Sequence, residues 1–280
     1  MKILRLKIYQ PHAHYRIPFT FSRRHTYPIP PYSTVIGFIC NVLGIREQSD
    51  EEFQKLKDGL SLAIYGKFES MTREYIWFRN LAKDSHKSRF GSPTNRVIDQ
   101  TPEHPGGQIP TRIDVLEDVK LIIYIYHNED FLKVLKSKFE NPKNRIYPLH
   151  LGRAEDWIVF EGNPDEAIKI IEINEENKKP FYGRFEYYTW IPDPIREKKY
   201  IDNKIYNKNF ERFFQKIKGS SHLITSFYKI RSGVRVFDYI PAKLFEQGDF
   251  PFYFDEPFEF TVDKDLNIPI FLCKMIYSGN

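Results

Sequence analysis

The residues of this sequence that are best suited to chemistry lie in a basic, proline-rich stretch near the N-terminus. No acidic residue precedes Glu47, although seven Lys or Arg residues do. Positive charge without internal neutralisation favours an external polyanion. The residues predicted to pair with phosphates or to stack on bases in this stretch are His14, Arg16, Arg23, Arg24 and Tyr27. A solvated charged loop is the alternative interpretation of the same arginines.

The histidines suggest a second kind of chemistry. Metal-independent RNA cleavage uses a base to activate the 2′-hydroxyl and an acid for the leaving oxygen, and histidine suits both roles. The candidate catalytic residues are His14, Tyr27 and His127. Their spacing fixes no catalytic pair, so RNA binding is the favoured interpretation and RNA cleavage is the alternative. The sequence contains no GxxxxGK[ST], HExxH or CxxC motif, and no cofactor or metal is predicted.

Composition predicts a folded protein. The chain has 280 residues, of which 41% are hydrophobic, enough to bury a core. Aromatic residues make up 16% of the chain, and their rings could either stack on unpaired bases or pack in a sheet. Seven acids against one lysine lie between Phe245 and Asp265. This segment is predicted to face away from RNA or toward a basic protein neighbour.

Cysteine usage and hydropathy predict the compartment. The two cysteines, Cys40 and Cys273, lie among apolar residues and offer neither a metal-ligand spacing nor a disulfide framework. No apolar run approaches the roughly 20 residues of a membrane span. The sequence therefore predicts a soluble protein of the reducing cytoplasm without a membrane partner.

A helix is predicted directly after the basic stretch. Residues 33–43 carry an apolar stripe, follow Pro30 and Pro31, and end at Gly44. The N–H donors at a helix start favour a phosphate, and the hydroxyls of Ser33 and Thr34 could add to them. The alternative is an ordinary N-cap, which needs no ligand.

Two loops complete the set of candidate RNA contacts. Residues 80–111 form a long segment rich in glycine and proline between predicted strands, which suggests an RNA-gripping protrusion. Its candidate residues, with the strand end that leads into it, are Arg79, Lys83, Lys87, Arg89 and Arg96. The turn at Gly152 and Arg153 offers a close backbone approach and a bidentate phosphate fork.

The order of the predicted elements indicates the fold. Strand, helix, strand, strand, helix, strand matches a ferredoxin-like α+β arrangement, whose open sheet face binds single strands in RNA-recognition domains. We predict a ferredoxin-like domain over residues 1–162, with a thumb inserted at 80–111, and a smaller β-rich region over 163–280.

Two motifs and this element order resemble the Cas-five family of CRISPR-associated proteins. TYPIPPYSTVIGFICNVLGI at residues 26–45 resembles the start of the family's first helix, and YPLHLGRAEDWI at residues 147–158 resembles the glycine-rich loop before its last ferredoxin strand. The two motifs anchor the resemblance over roughly the N-terminal half of the chain.

The resemblance implies a subunit of a type I effector complex (Cascade) in antiviral defence, with type I-B as the expected subtype. Such a subunit holds the 5′ handle of the CRISPR RNA, contacts the backbone and large subunits, and meets target DNA only indirectly. In the family the protrusion is a thumb across the RNA, and residues 80–111 lie at the matching place. Type I-C members cut precursor RNA, which keeps the nuclease alternative open. A second alternative is a general single-strand RNA-binding protein outside any CRISPR system.

Overall fold

The structure is a computed structural model of the 280-residue chain. It describes residues 1–20, 23–79, 91, 97–98, 101–102, 108–143, 145–181, 184–202, 209–232, 234–246, 248–249 and 258–278.

The helices within the described ranges are α1 (Tyr32–Leu43), α2 (Glu51–Lys57), α3 (Glu129–Glu140), α4 (Pro164–Ala167) and α5 (Phe210–Lys216). The strands are β1 (Lys2–Ala13), β2 (Tyr15–Arg16), β3 (Arg23–Arg24), β4 (Thr26–Tyr27), β5 (Ser61–Lys67), β6 (Ser70–Arg79), β7 (Val97–Ile98), β8 (Thr101–Pro102), β9 (Gln108–Tyr126), β10 (Val159–Phe160), β11 (Ile168–Glu172), β12 (Lys178–Pro180), β13 (Arg184–Phe185), β14 (Tyr188–Pro192), β15 (Ser220–Arg231), β16 (Val234–Phe245), β17 (Gly248–Asp249), β18 (Glu259–Asp263), β19 (Ile268–Pro269) and β20 (Cys273–Lys274).

A large, mostly antiparallel sheet organises the molecule. Its central strands follow the order β10, β1, β9, β5, β14, β16, β15, and β11 pairs with β1 beside β10. The only parallel pairing among the described strands joins β3 to β9. The mixed α+β class predicted from the sequence is confirmed, and the sheet continues from the N-terminal strands into strands of the C-terminal region.

Alternate residues of the central strands face two different layers. Leu4, Leu6 and Ile8 of β1 belong to a core shared with α1 and α3, whereas Ile3 belongs to a second core. This alternation follows from the two-residue period of a strand, and it buries the sheet on both faces.

The second face of the sheet is covered, which contradicts the predicted open RNA-binding face. Phenylalanines from the C-terminal region pack there around Phe213, whose ring lies 4.8 Å from that of Phe260 and 5.7 Å from that of Phe271. Much of the aromatic content therefore builds a core between layers. The sequence pattern missed this cover because its residues lie far from β1 along the chain.

The acidic segment is partly neutralised within the chain. Asp263 is buried and accepts hydrogen bonds from Arg5 Nη1 at 2.8 Å and from the Tyr124 hydroxyl at 2.8 Å. Asp265 pairs with Arg5 and with Lys169. The sequence predicts that this segment faces away from RNA or toward a basic protein neighbour. For these two carboxylates the second alternative is wrong, because their cationic partners belong to this chain and tie the C-terminal region to β1.

The cysteines agree with the sequence prediction. Cys40 and Cys273 form no disulfide, and burial raises the pKa of the Cys40 thiol to about 12. Among the described residues, none of the helices is long and apolar enough to cross a membrane.

Candidate nucleic-acid interface

A cavity of about 370 Å³ lies where four parts of the fold meet. They are the basic, proline-rich stretch near the N-terminus (the basic arm), the start of α1, the loop that contains Gly152 and Arg153 (the Gly152 loop), and the β15–β16 hairpin. The predicted binding residues in its wall are His14, Arg16, Arg24, Ser33, Thr34, Gly152 and Arg153. These residues come from three separate segments of the sequence. The fold brings them to one place, and this place is the candidate site.

Asp156 organises the loop that forms one wall of the cavity. Its carboxylate is fully buried and accepts the backbone N–H groups of His14 at 3.0 Å and of Arg153 at 2.7 Å. The side chain of Gln10 donates to the carbonyls of Leu151 and Asp156, both at 2.9 Å, so β1 holds the two ends of the loop. The loop geometry is therefore fixed by buried hydrogen bonds to the core.

Gly152 is required by this close packing. Its φ of +104° lies in the region that favours glycine, and a Cβ would come within 2.6 Å of the Asp156 carboxylate and 2.8 Å of the His14 carbonyl. From the sequence, this glycine was expected to let RNA approach the backbone. In the structure, the missing side chain lets the loop pack closely against the backbone of His14 in the basic arm.

The His14 ring lines the cavity, and its two nitrogens differ in their hydrogen bonding. Its Nδ1 lies 2.8 Å from the Asp114 carbonyl, which can only accept, so Nδ1 carries the proton. Nε2 is buried and has no hydrogen-bond partner among the described residues. Burial lowers the pKa of His14, and the charges of Arg153 and Arg24 act in the same direction, so the ring is a neutral acceptor at pH 7. Since the ring is buried, His14 does not offer the exposed face that base stacking needs.

Arg16 and Arg24 give the cavity its positive charge. Arg16 is exposed and makes no ion pair with any residue in the described ranges. Burial and the nearby charge of Arg16 lower the pKa of Arg24. Two guanidinium groups that repel each other in one cavity wall favour an anion between them.

The start of α1 contributes to the same wall. Pro31 occupies the N-cap position, and no side chain caps the helix. The Ser33 hydroxyl instead lies 2.6 Å from the Thr225 hydroxyl of β15. The ordinary side-chain N-cap, which was the alternative from the sequence, is absent at α1.

Two predicted phosphate ligands are engaged by the chain's own carboxylates. Arg153 donates from Nε and Nη2 to Asp156 and from Nη1 to Glu74 at 3.0 Å, and it is only 15% exposed. Arg23 donates to both oxygens of the buried Asp114 and does not line the cavity. The phosphate fork expected at Arg153 and the phosphate pairing expected at Arg23 are therefore corrected, because each guanidinium stabilises the fold.

The candidate catalytic residues are not brought together. Tyr27 is buried, with its ring edge-on to Trp190 at 5.4 Å and to His222 at 5.8 Å, so it is available neither for stacking nor for proton transfer. His127 Nε2 lies 2.9 Å from the Lys55 carbonyl and Nδ1 accepts the Asn128 N–H, which occupies both ring nitrogens. Of these three, only His14 reaches the cavity.

The predicted protrusion lies mostly outside the described residues. Lys83, Lys87, Arg89 and Arg96 fall there, and for Arg79 the structure describes the backbone alone, at the end of β6. The base of the protrusion is described, because β6 pairs with the first half of β9 from Ser70↔Glu117 to Arg79↔Gln108.

Several residues that line the cavity or hold its wall had no signal in the sequence. Thr225 and Phe237 reach the cavity from β15 and β16, and Asp156 and Glu74 hold Arg153. The sequence predicts the β15–β16 hairpin, but not its packing against the start of α1. Its contact with Ser33 spans 192 residues, and no local pattern encodes such a pairing.

Comparison with known proteins identifies the family. A family model described as CRISPR-associated protein (Cas_Cas5) matches residues 3–217, which is more than half of the chain. The chain belongs to this family of CRISPR-associated proteins, as the two motifs indicated. The alternative of a general RNA-binding protein outside any CRISPR system is therefore disfavoured. No match is found among the curated proteins.

The solved structures to which this chain is similar share little sequence identity with it. A chain of a "CRISPR RNA-guided surveillance complex" is 11% identical, with 89% of this chain and 91% of that chain covered and a TM-score of 0.49. A Cas protein is 12% identical, with coverages of 89% and 95% and a TM-score of 0.41. A CRISPR protein from Archaeoglobus fulgidus is 11% identical, with coverages of 99% and 93% and a TM-score of 0.36.

Proposed function

We propose that this protein is an RNA-binding subunit of a type I CRISPR effector complex and that its cavity holds the 5′ handle of the CRISPR RNA. The observation that carries the proposal is the convergence of His14, Arg16, Arg24, Ser33 and Thr34 on one cavity. Arg16 and Arg24 provide two cations, and Ser33 and Thr34 lie at the start of α1. His14 Nε2 is an acceptor without a hydrogen-bond partner among the described residues. A backbone phosphate with its ribose matches that set.

The binding mechanism is electrostatic. Arg16 and Arg24 neutralise one or two phosphates and release counterions, which supplies most of the affinity. The first turn of α1 adds the positive end of its dipole. His14 accepts a hydrogen bond from a ribose 2′-hydroxyl, which would favour RNA over DNA.

We also propose that the N-terminal strands form a ferredoxin-like unit over residues 1–162. The order β10, β1, β9, β5 supports it, because α1 connects β1 to β5 and α3 connects β9 to β10. The thumb at 80–111 and the β-rich region over 163–280 complete the proposed organisation.

The proposed partners are the CRISPR RNA handle, the backbone subunit and the large subunit of Cascade, in the cytoplasm. Family membership supports a role in a CRISPR system. The type I-B subtype stays a prediction of the sequence.

Binding is favoured over cleavage because the three candidate acid–base residues, all within the described ranges, are not brought together. His127 and Tyr27 are engaged elsewhere, and His14 stands without a second proton-transfer group from the candidate set. A lone acceptor suits recognition of a hydroxyl donor.

The test removes the two cations, Arg16 and Arg24, that line the cavity. Arg16→Ala with Arg24→Ala should weaken binding of repeat-derived RNA at least about tenfold at physiological salt. It should also lower the slope of log K against log salt by about 1.4, since each lost single-strand phosphate contact contributes about 0.7. Fluorescence anisotropy over a salt series in EDTA measures both quantities, and recovery of intact RNA separates binding from cleavage.

A matched control removes the same charge elsewhere. Lys133→Ala with Lys138→Ala on α3 lowers the net charge equally without touching the cavity. If both double variants lose affinity and salt slope equally, the charge acts diffusely and the proposed site is wrong.

A further inference from the structure

We propose that one face of the β15–β16 hairpin binds the unpaired nucleotides that leave the cavity, by stacking bases on Phe237 and on the Tyr228–Arg235 pair. This inference rests on the proposed function, because it extends the RNA path from the same cavity. It assigns an RNA-contacting role to the C-terminal region, which the sequence analysis did not consider.

The hairpin face is continuous with the cavity. Thr225 and Phe237 lie in the cavity wall. Thr225 is paired with Tyr239, and Tyr228 is paired with Phe237 across a bulge. Since cross-strand partners and residues two apart share a face, these side chains and those of the next pair, Ile230 and Arg235, follow one another away from the cavity.

The side chains of this face are suited to bases. The rings of Tyr228 and Phe237 lie 5.6 Å apart, and the Arg235 guanidinium lies 4.8 Å from the centre of the Tyr228 ring. A planar guanidinium held over an aromatic ring presents its outer face to a base and its edge to a phosphate. None of these three side chains is fully buried.

The charge of the hairpin also favours a nucleic acid. Between Ser226 and Phe237 the sequence contains Lys229, Arg231 and Arg235 and no acid. Neither Arg231 nor Arg235 forms an ion pair with a described residue, although a folded surface usually intersperses both signs. Unneutralised cations beside stacking platforms are the combination found in single-strand binders.

The opposite face of the same hairpin provides an internal control. Arg231 is paired with Val234 and Lys229 with Val236, so these four side chains point away from the proposed track. Arg231→Ala removes the same charge from the same hairpin as Arg235→Ala does. If Arg235→Ala weakens RNA binding and Arg231→Ala does not, the effect comes from the proposed RNA-binding face and not from a general loss of charge.

The experiment uses the full chain and a 5′-labelled oligouridylate of about twelve nucleotides, compared with one of about five, within the range of known single-strand site sizes. Arg235→Ala and Tyr228→Leu should each weaken binding of the longer oligomer about tenfold, as expected for the loss of one stacking platform. Binding of the shorter oligomer, which fills the cavity alone, should change less than about twofold. Arg231→Ala should leave both affinities within about twofold of the parent, and thermal unfolding should verify that each variant folds.

Two results would overturn the inference. If Arg235→Ala and Tyr228→Leu bind the longer oligomer as the parent does, the face binds no RNA and a protein subunit becomes its occupant. If Arg231→Ala and Arg235→Ala lose equal affinity, charge and not the face is responsible. Either result leaves the proposed function standing as long as Arg16→Ala with Arg24→Ala weakens both oligomers, so the two failures are distinguishable.

Discussion

Asp156→Ala is expected to destabilise the protein by about 3–5 kcal/mol and to abolish the cavity, because it removes a fully buried carboxylate that pairs with Arg153 and accepts two backbone N–H groups. The carboxylate accepts from Nε and Nη2 of Arg153 and from the backbone N–H groups of His14 and Arg153. All four donors would lose this acceptor, and Arg153 would keep its ion pairs with Glu74 and Glu155. Urea unfolding with a constant m-value measures the change.

Glu155→Ala is the matched control for Asp156. Glu155 is the neighbouring carboxylate, 63% exposed and 3.5 Å from the same arginine, and its removal should change stability little. Asp156→Asn retains an acceptor of the same shape and should fall between the two variants. Equal midpoints for Asp156→Ala and Glu155→Ala would show that Asp156 does not organise the loop. At temperatures where Asp156→Ala remains folded, its RNA affinity should fall at least as far as that of the Arg16 and Arg24 double variant.

Arg5→Met is the second substitution with a large expected effect. Arg5 is fully buried on β1, and its loss leaves Asp263, which is 2% exposed, without a cation. Breaking a buried ion pair in this way costs about 3–5 kcal/mol. Because Asp263 belongs to β18, the C-terminal region should loosen from the sheet. Urea unfolding measures the loss, and hydrogen exchange should locate it in β18 and β1.

A compensating variant tests the same pair. Arg5→Met combined with Asp263→Leu removes both charges and should recover most of the stability, although the Tyr124 hydroxyl then lacks its acceptor. Lys2 lies on the same strand as Arg5 and makes an exposed ion pair with Glu129 of α3. Lys2→Met breaks this ion pair and should have no measurable effect on stability. A double variant as unstable as Arg5→Met would show that packing around Arg5, and not its charge, holds the two layers together.

Local signals predicted the elements that form the site. Pro30 and Pro31 before an apolar stripe, with Gly44 after it, define α1, and Gly44 takes the left-handed φ of 79°. The acid-free arm predicted a basic wall, and Arg16 and Arg24 provide it. These features were accessible because each depends on residues close together in the chain.

Long-range packing explains the predictions that failed. Tyr27 resembles an exposed aromatic in its sequence context, yet Trp190 and His222 cover it. Arg23 and Arg153 resemble phosphate ligands, yet buried carboxylates at Asp114 and Asp156 engage them. The sheet face that would bind RNA is filled by phenylalanines from the C-terminal region. In each case the deciding partner lies elsewhere in the sequence, and its identity does not follow from spacing.

Photocrosslinking of the full chain to repeat-derived RNA carrying 4-thiouridine, followed by mass-spectrometric mapping of the modified peptides, tests most directly whether the RNA occupies this cavity. We expect crosslinks within residues 12–34 and within the hairpin around Phe237, and their loss in the Arg16 and Arg24 double variant. Crosslinks confined to other surfaces, with both cavity segments unmodified, would contradict it.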